Sequence, residues 1–363
     1  MELGIIGLAR SGKTSLFNAV TRGRAQVGAY TSRAEPNIGV VHVPDERVNA
    51  LERIFKPKKT TYAEIRWIDF PVAGFGAEGP GAVFLADLAK LDALVHVVRA
   101  FEDDAVPHDE GSVDPRRDLE ALELELTFAD LGLIERRLSR LEAEMRSVRA
   151  GERGALERQR ELLGRLHRHL EGGRGLRDLE LDEDDERELR QYQFVTRRPA
   201  LIVVNIGEDA LGRAGEVEAE YRALVGGPRV AVAALCAKLE AELAQMEPDD
   251  AREFRADLGL PEESPLHRAI VTAYELLGVH SFLTAGEDEC RAWTVRRGAT
   301  APEAAGRIHS DLERGFIRAE VVPCGDLVAA GSMAEVKRRG LLRTEGKSYV
   351  VQDGDVLNIL FNL

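Results

Sequence analysis

Lys13 and Thr14 end the stretch Gly7-Leu8-Ala9-Arg10-Ser11-Gly12-Lys13-Thr14, which fits the phosphate-loop pattern G-x-x-x-x-G-K-[ST]. Its two glycines let the backbone turn its N–H groups inward. The amides from Ala9 through Arg10, Ser11, Gly12, Lys13 and Thr14 to Ser15 can then converge on phosphate oxygens at the positive end of a helix. The Lys13 ammonium is expected to reach the β- and γ-phosphates of a nucleoside triphosphate. The Thr14 hydroxyl is the expected Mg²⁺ ligand, because that cation takes hard oxygen donors.

Such a loop works only between a strand and a helix. Leu3, Ile5 and Ile6 read as a short buried strand before it, and Leu16, Phe17, Ala19 and Val20 recur at helical spacing behind it. A second strand over 63–68 ends at Asp69, the expected Walker B carboxylate and, with Lys13, the expected catalytic pair. The polar stretch 28–37 reads as a switch loop in which Thr31 is the candidate third metal ligand, and the glycine-rich 70–81 as a second switch. No glutamine occurs between Gln26 and Gln159, so a water-orienting glutamine is absent near that loop.

The base should be read further along. Residues 93–98 form a continuous apolar run, the pattern of a buried parallel strand, with His96 a core histidine inside it. Residues 200–204 repeat the pattern and end at Asn205-Ile206-Gly207-Glu208. A guanine-reading switch places N-K-x-D here, its aspartate accepting from N1–H and the 2-amino group. Glu208 in place of that short carboxylate, and Gly207, which is no base-stacking lysine, point to ATP over GTP. A last strand over 229–233 leads to 234–238, so that Cys236 and Ala237 close over the base edge.

Length and composition agree with a multidomain chain: 363 residues, ordinary apolar and charged fractions, and a formal charge of -14 that disfavours indiscriminate binding along nucleic acid. No apolar run is long enough to cross a bilayer, and the first residues belong to a strand, so the expectation is an unprocessed cytoplasmic protein without a membrane partner. Nothing demands more than a monomer. Cys236, Cys290 and Cys324 lack metal-site or disulfide spacing.

From Asp118 the texture changes. Leu131, Ile134, Leu138, Leu141, Met145 and Val148 form a heptad seam, Gly151 and Gly154 break it, and Leu156, Leu163, Leu166 and Leu170 resume it. This predicts an antiparallel coiled-coil hairpin with its tip near 150–154 and many arginines outside, Arg136, Arg140 and Arg146 among them, which suit a solvated face or an arm for an RNA-rich partner equally. Towards the C-terminus a strand over 290–295 precedes a capping box of Thr300 and Glu303. Strands follow over 316–322 and 356–361, with the basic cluster 337–339 between them.

Taken together, these residues resemble the YchF, or Obg-like ATPase, family. The resemblance spans the chain: the phosphate loop, Asn37-Ile38-Gly39-Val40-Val41, the 205–208 variant of the base motif, Cys236-Ala237, Arg291-Ala292-Trp293-Thr294, Gly315-Phe316-Ile317-Arg318-Ala319 and Asp353-Gly354-Asp355-Val356. It implies an α/β P-loop G domain with an inserted antiparallel helical coiled-coil arm and a C-terminal ubiquitin-like α+β TGS domain. The expected bounds are 1–117 and 199–279 for the two G-domain parts, 118–198 for the arm and 280–363 for the TGS-like domain. It also implies a Mg²⁺-dependent, ATP-preferring hydrolase that associates with the ribosome and its RNA. Two departures touch the γ-phosphate sensors: Arg33 stands where the family has Thr before Ile-Glu-Pro-Asn, and Val72 where its second switch has Gly. The chain therefore reads as a divergent paralogue, and two alternatives stay open: an Obg-type GTPase, and a nucleotide-gated ribosome-binding switch with negligible turnover.

Overall fold

Runs of apolar residues without polar alternation must be buried on both faces, and here they form the middle of a parallel sheet. The computed structural model describes residues 1–23, 36–70, 81–108, 111–147 and 153–362. Its strands are β1 (Glu2–Ile6), β2 (Asn37–His42), β3 (Lys59–Thr61), β4 (Glu64–Asp69), β5 (Ala93–Ala100), β6 (Ala200–Ile206), β7 (Val230–Leu235), β8 (Val279–Ala285), β9 (Glu289–Arg296), β10 (Phe316–Pro323), β11 (Arg343–Glu345) and β12 (Asp355–Phe361). Among the described residues they make two sheets, ordered β2-β4-β1-β5-β6-β7 and β11-β10-β12-β8-β9-β3. In the first, β1 runs parallel between β4 and β5, with Ile5 level with Asp69 on one side and Val95 on the other. Strand order reverses at β1, which is where open α/β sheets bind ligands beyond the strands' carboxyl ends.

The chain divides into two compact units, Met1–Gly39 with Arg66–Leu266 and Val40–Ile65 with His267–Leu363. Residues 40–65, which sequence order assigns to the first domain, thus belong with the C-terminal unit, where β3 pairs with β9. In that unit the Thr300–Glu303 capping box forms as expected at the head of the helix Ala301–Ile308, which covers a core of Phe282, Val295, Phe316, Val321 and Leu357.

In the first unit the insertion begins with the helix Pro115–Ser147, and the helix Arg153–Glu171 returns along it. Arg137 meets Gln159 while Glu135 meets His167, so the two run antiparallel. Ile134, Leu141, Leu163, Leu166 and Leu170 are buried in one apolar cluster, with Leu131, Leu138 and Leu156 partly so; of the other two seam positions read from the sequence, Met145 is not part of this cluster and Val148 lies outside the described residues. Residues 148–152, most of the expected tip, lie outside the described residues. Fully buried Asp130 ties this hairpin down where the chain re-enters the sheet, accepting from the Val195 and Thr196 amides at 3.0 and 2.8 Å and from the Thr196 hydroxyl at 2.7 Å. Burial pushes its carboxyl up, and those three bonds oppose the shift.

No helix among the described residues is long and apolar enough to cross a membrane. All three cysteines are free and buried.

Candidate nucleotide site

β1 delivers the chain to the phosphate loop, and three residues there have positive φ: Gly7 at 154°, Arg10 at 61° and Gly12 at 95°. At Gly12 only glycine fits for a second reason. A Cβ would stand 2.2 Å from Nδ2 of Asn205. Gly12 caps the helix Lys13–Thr21, whose Leu16, Phe17, Ala19 and Val20 are buried as the helical spacing requires. The first amides of that helix have no intrahelical acceptor, so they remain available to an anion.

Lys13 is 6% exposed, and its Nζ donates to the carbonyls of Gly7 at 2.9 Å and Leu8 at 2.8 Å, holding the ammonium against the loop. Burial lowers its pKa to about 8 against the opposing pull of Asp69. Asp69, at the end of β4, is 4% exposed. Its Oδ2 accepts from the Thr14 hydroxyl at 3.0 Å and from Asn37 Nδ2 at 3.3 Å. Burial raises its pKa, and the bonds from Thr14 and Asn37 and the Lys13 charge limit the rise. Its Oδ1 is buried and has no hydrogen-bond partner among the described residues. A hydroxyl and a carboxylate with one oxygen unspoken for are hard donors of the kind Mg²⁺ takes.

The base-motif segments also meet. Asn205, 4% exposed, donates from Nδ2 to the Ser11 carbonyl at 2.9 Å and accepts at Oδ1 from the Ala237 amide at 2.9 Å, bridging the phosphate loop to the segment after β7. Cys236 is buried at the head of the helix Ala237–Leu243, and burial pushes its thiol up. Gly207 precedes a short 3-10 turn that starts at Glu208, whose carboxylate takes the ammonium of Lys238 at 2.8 Å. Asn205→Ala would strand a buried carbonyl and a buried N–H together. At roughly 1–3 kcal/mol for each unmet group, urea denaturation should report a loss of about 2–6 kcal/mol.

Of the remaining residues marked by the sequence, Ala9 and Ser11 line a small cavity behind the loop with Leu8, Val97, Val98, Arg99, His108, Asp118 and Leu122. Arg10 turns its side chain away, donating to the Pro107 carbonyl at 2.7 Å. Ser15 lies in the helix's first turn. Thr31, and the second switch from Val72 through Ala73 and Gly74 to Phe75, lie outside the described residues. The sequence did not mark His108, whose Nε2 stands 2.7 Å from Asp118 beside this cavity, because no spacing rule joins a loop histidine to an aspartate ten residues on. His96 is wholly buried, as expected of a core histidine. Its Nδ1 lies 2.9 Å from the Glu123 carboxylate of the hairpin without hydrogen-bond geometry, and its Nε2 too has no hydrogen-bond partner among the described residues.

The chain as a whole is similar to known proteins. A family model described as YchF-GTPase_C, a protein of unknown function (DUF933), matches residues 279–362. The ribosome-binding ATPase YchF of Bacillus subtilis (strain 168) is 40% identical over 369 residues, covering 100% of each chain. That of Escherichia coli O157:H7 is 36% identical over 366 residues, covering 100% of this chain and 99% of its own. Among solved structures, the Schizosaccharomyces pombe YchF GTPase superposes with a TM-score of 0.86 at 28% identity, covering 99% of this chain and 97% of that one.

Proposed function

The chain belongs to the YchF family, and from that premise we propose that it is a P-loop ATP hydrolase that uses Mg²⁺ and acts in association with the ribosome, as the bacterial relatives' name states of them. The observation that carries the nucleotide reading is the convergence of Asp69 and Asn205, from two distant strands, on the loop that carries Lys13 and Thr14. Lys13 neutralises the β- and γ-phosphates while the amides from Ala9 to Ser15 hold their oxygens. Thr14 and the unpartnered oxygen of Asp69 hold Mg²⁺, which supplies neutralisation of charge on the transferring phosphoryl group. Asn205 keeps Ser11 and the Ala237 turn in register around the nucleotide. Phosphoryl transfer to water asks little covalent chemistry of the protein, so positioning and electrostatics are its contribution.

ATP is the preferred nucleotide in this reading. Adenine offers no N1–H or 2-amino group for a short carboxylate to accept from, and Glu208 is already engaged by Lys238. Against it stands the naming of the fission-yeast relative as a GTPase. Competition titration with hydrolysis-resistant Mg²⁺-ATP and Mg²⁺-GTP analogues decides: an ATP preference of about tenfold or more, roughly 1.4 kcal/mol, is expected. Equal or tighter GTP binding would return the chain to the GTPase alternative. Residues 118–198 form the coiled-coil arm and 280–363 the TGS-like domain in this proposal, with 1–117 and 199–279 the nucleotide-binding parts apart from residues 40–65 and 267–279, which belong to the C-terminal unit.

A further inference from the structure

The first sheet has a second concentration of unspent charge, at the opposite strand ends from the phosphate loop. Arg197 and Arg198 lie just before β6, separated from it by Pro199, and Arg229 immediately precedes β7. The strands are paired there, the Ala200 amide donating to the Arg229 carbonyl at 3.0 Å, so these side chains start from neighbouring backbones about 5 Å apart. Arg177 reaches the same corner, its amide and its Nε both donating to the Thr196 carbonyl, at 3.0 and 3.1 Å.

Most of the acids nearby are already committed; Asp178, whose carboxylate lies beside Gly227, is the one without a partner among the described residues. Glu186 pairs with Arg197, and Glu123 with Arg177 at 2.9 Å. Asp130 is filled by the amides and hydroxyl of the Val195–Thr196 turn, and Asp92 takes the Glu2 amide at 2.8 Å. Arg198 donates through Nη2 to the Ala89 carbonyl, which carries no charge, and its buried Nε has no acceptor among the described residues. Nη2 of Arg177, a residue 5% exposed, is likewise without one. The Arg229 guanidinium, half-buried, has neither a hydrogen bond nor an ion pair among the described residues. Burial and the like charges of Arg197, Arg177 and Arg198 push its pKa down, and only Glu186 opposes them. Holding half-buried guanidinium groups together without counterions is costly, and an oxyanion removes the cost by accepting from several forks at once.

We propose that Arg198 and Arg229, backed by Arg177, form a phosphate-binding site at the amino ends of β6 and β7, and that the phosphate belongs to an RNA backbone. The choice of RNA over a free anion rests on the ribosome reading above, because a protein of net charge -14 that docks on RNA needs its contacts concentrated in local cationic spots. The anion site itself does not depend on that reading.

Two measurements on the full chain, both with the phosphate loop filled by a saturating hydrolysis-resistant Mg²⁺-nucleotide, test it. Inorganic phosphate should raise the Tm of the parent protein and not that of Arg198→Gln/Arg229→Gln. Co-sedimentation with intact ribosomes in graded KCl should fall at least about tenfold for the double variant, with a salt slope shallower by about two. Arg197→Gln, whose partner is Glu186, should change neither. Arg198→Lys/Arg229→Lys should recover most of the ribosome affinity. Arg229→Gln alone, which breaks no intramolecular bond, carries the test if the double variant folds poorly. Loss of the phosphate effect with undiminished pelleting would assign the site to a free anion. An unchanged phosphate response together with unchanged pelleting would overturn the proposal. A parent protein that responds to phosphate but never pellets would remove the ribosome reading and the RNA source while keeping the anion site.

Discussion

Lys13→Ala is expected to weaken Mg²⁺-ATP binding by two to three orders of magnitude in an equilibrium titration. The side chain supplies the only ammonium on the loop, in a position 6% exposed where water screens it little. A charge-assisted hydrogen bond contributes about 1.5–3 kcal/mol, and contact with two phosphates therefore about 3–4 kcal/mol when partly shared. At 1.4 kcal/mol per decade this gives the stated loss. The same substitution deprives the Gly7 and Leu8 carbonyls of their shared donor, so circular dichroism and Tm must be recorded alongside. Lys13→Arg separates the effects: it keeps the charge, but its planar fork does not reproduce the ammonium's position, and binding should remain well below that of the parent. An affinity unchanged by Lys13→Ala would remove the nucleotide site from this loop altogether.

The parts of this site that could be read from the sequence are those in which neighbours in sequence are neighbours in space. The phosphate loop is one continuous turn, so the positions of Gly12, Lys13 and Thr14 follow from eight residues. Asp69 was reachable by the order of elements, because β4 must flank β1 for its carboxylate to meet Thr14. Asn205 was marked as a base reader, and its second task, fastening Ser11, was not visible, since the two are 194 residues apart and only the β1-β5-β6 order joins them. Nor does any periodicity announce that residues 40–65 leave the first unit. Lys59, Thr60 and Thr61 make only a three-residue strand, and its partner β9 lies more than two hundred positions on. The charged interior escaped for a different reason. An apolar run containing one histidine looks the same whether the imidazole has a neutral partner or a carboxylate from an inserted helix.

That carboxylate gives the second large expected effect. Glu123→Ala should lower stability by about 3–5 kcal/mol, the usual cost of removing one partner from a buried ion pair. At roughly 2–4 °C per kcal/mol for a unit of this size, a fall of about 6–20 °C in Tm follows. Glu123 lies between Arg177, whose Nη1 is 2.9 Å away, and His96 of β5, also at 2.9 Å, so its loss leaves two buried cationic or polar groups without a counterpart. Burial alone would raise its carboxyl, but the Arg177 and His96 contacts outweigh it and hold the pKa far below the usual glutamate range. The sign of the pH dependence follows: a depressed folded-state pKa stabilises above the ordinary value of 4.5, and that contribution disappears as pH falls below it. The parent protein should therefore lose stability on acidification more steeply than Glu123→Gln, which keeps the shape and has no charge to lose. Arg177→Ala should cost a similar amount to Glu123→Ala, since each single change strands the other's charge. The double variant leaves neither charge stranded, so a cycle measured by urea denaturation should show the two losses adding to clearly less than their sum. Strict additivity would mean that water already reaches this pair, and that the hairpin is held to β5 by the Asp130 contacts and apolar packing alone.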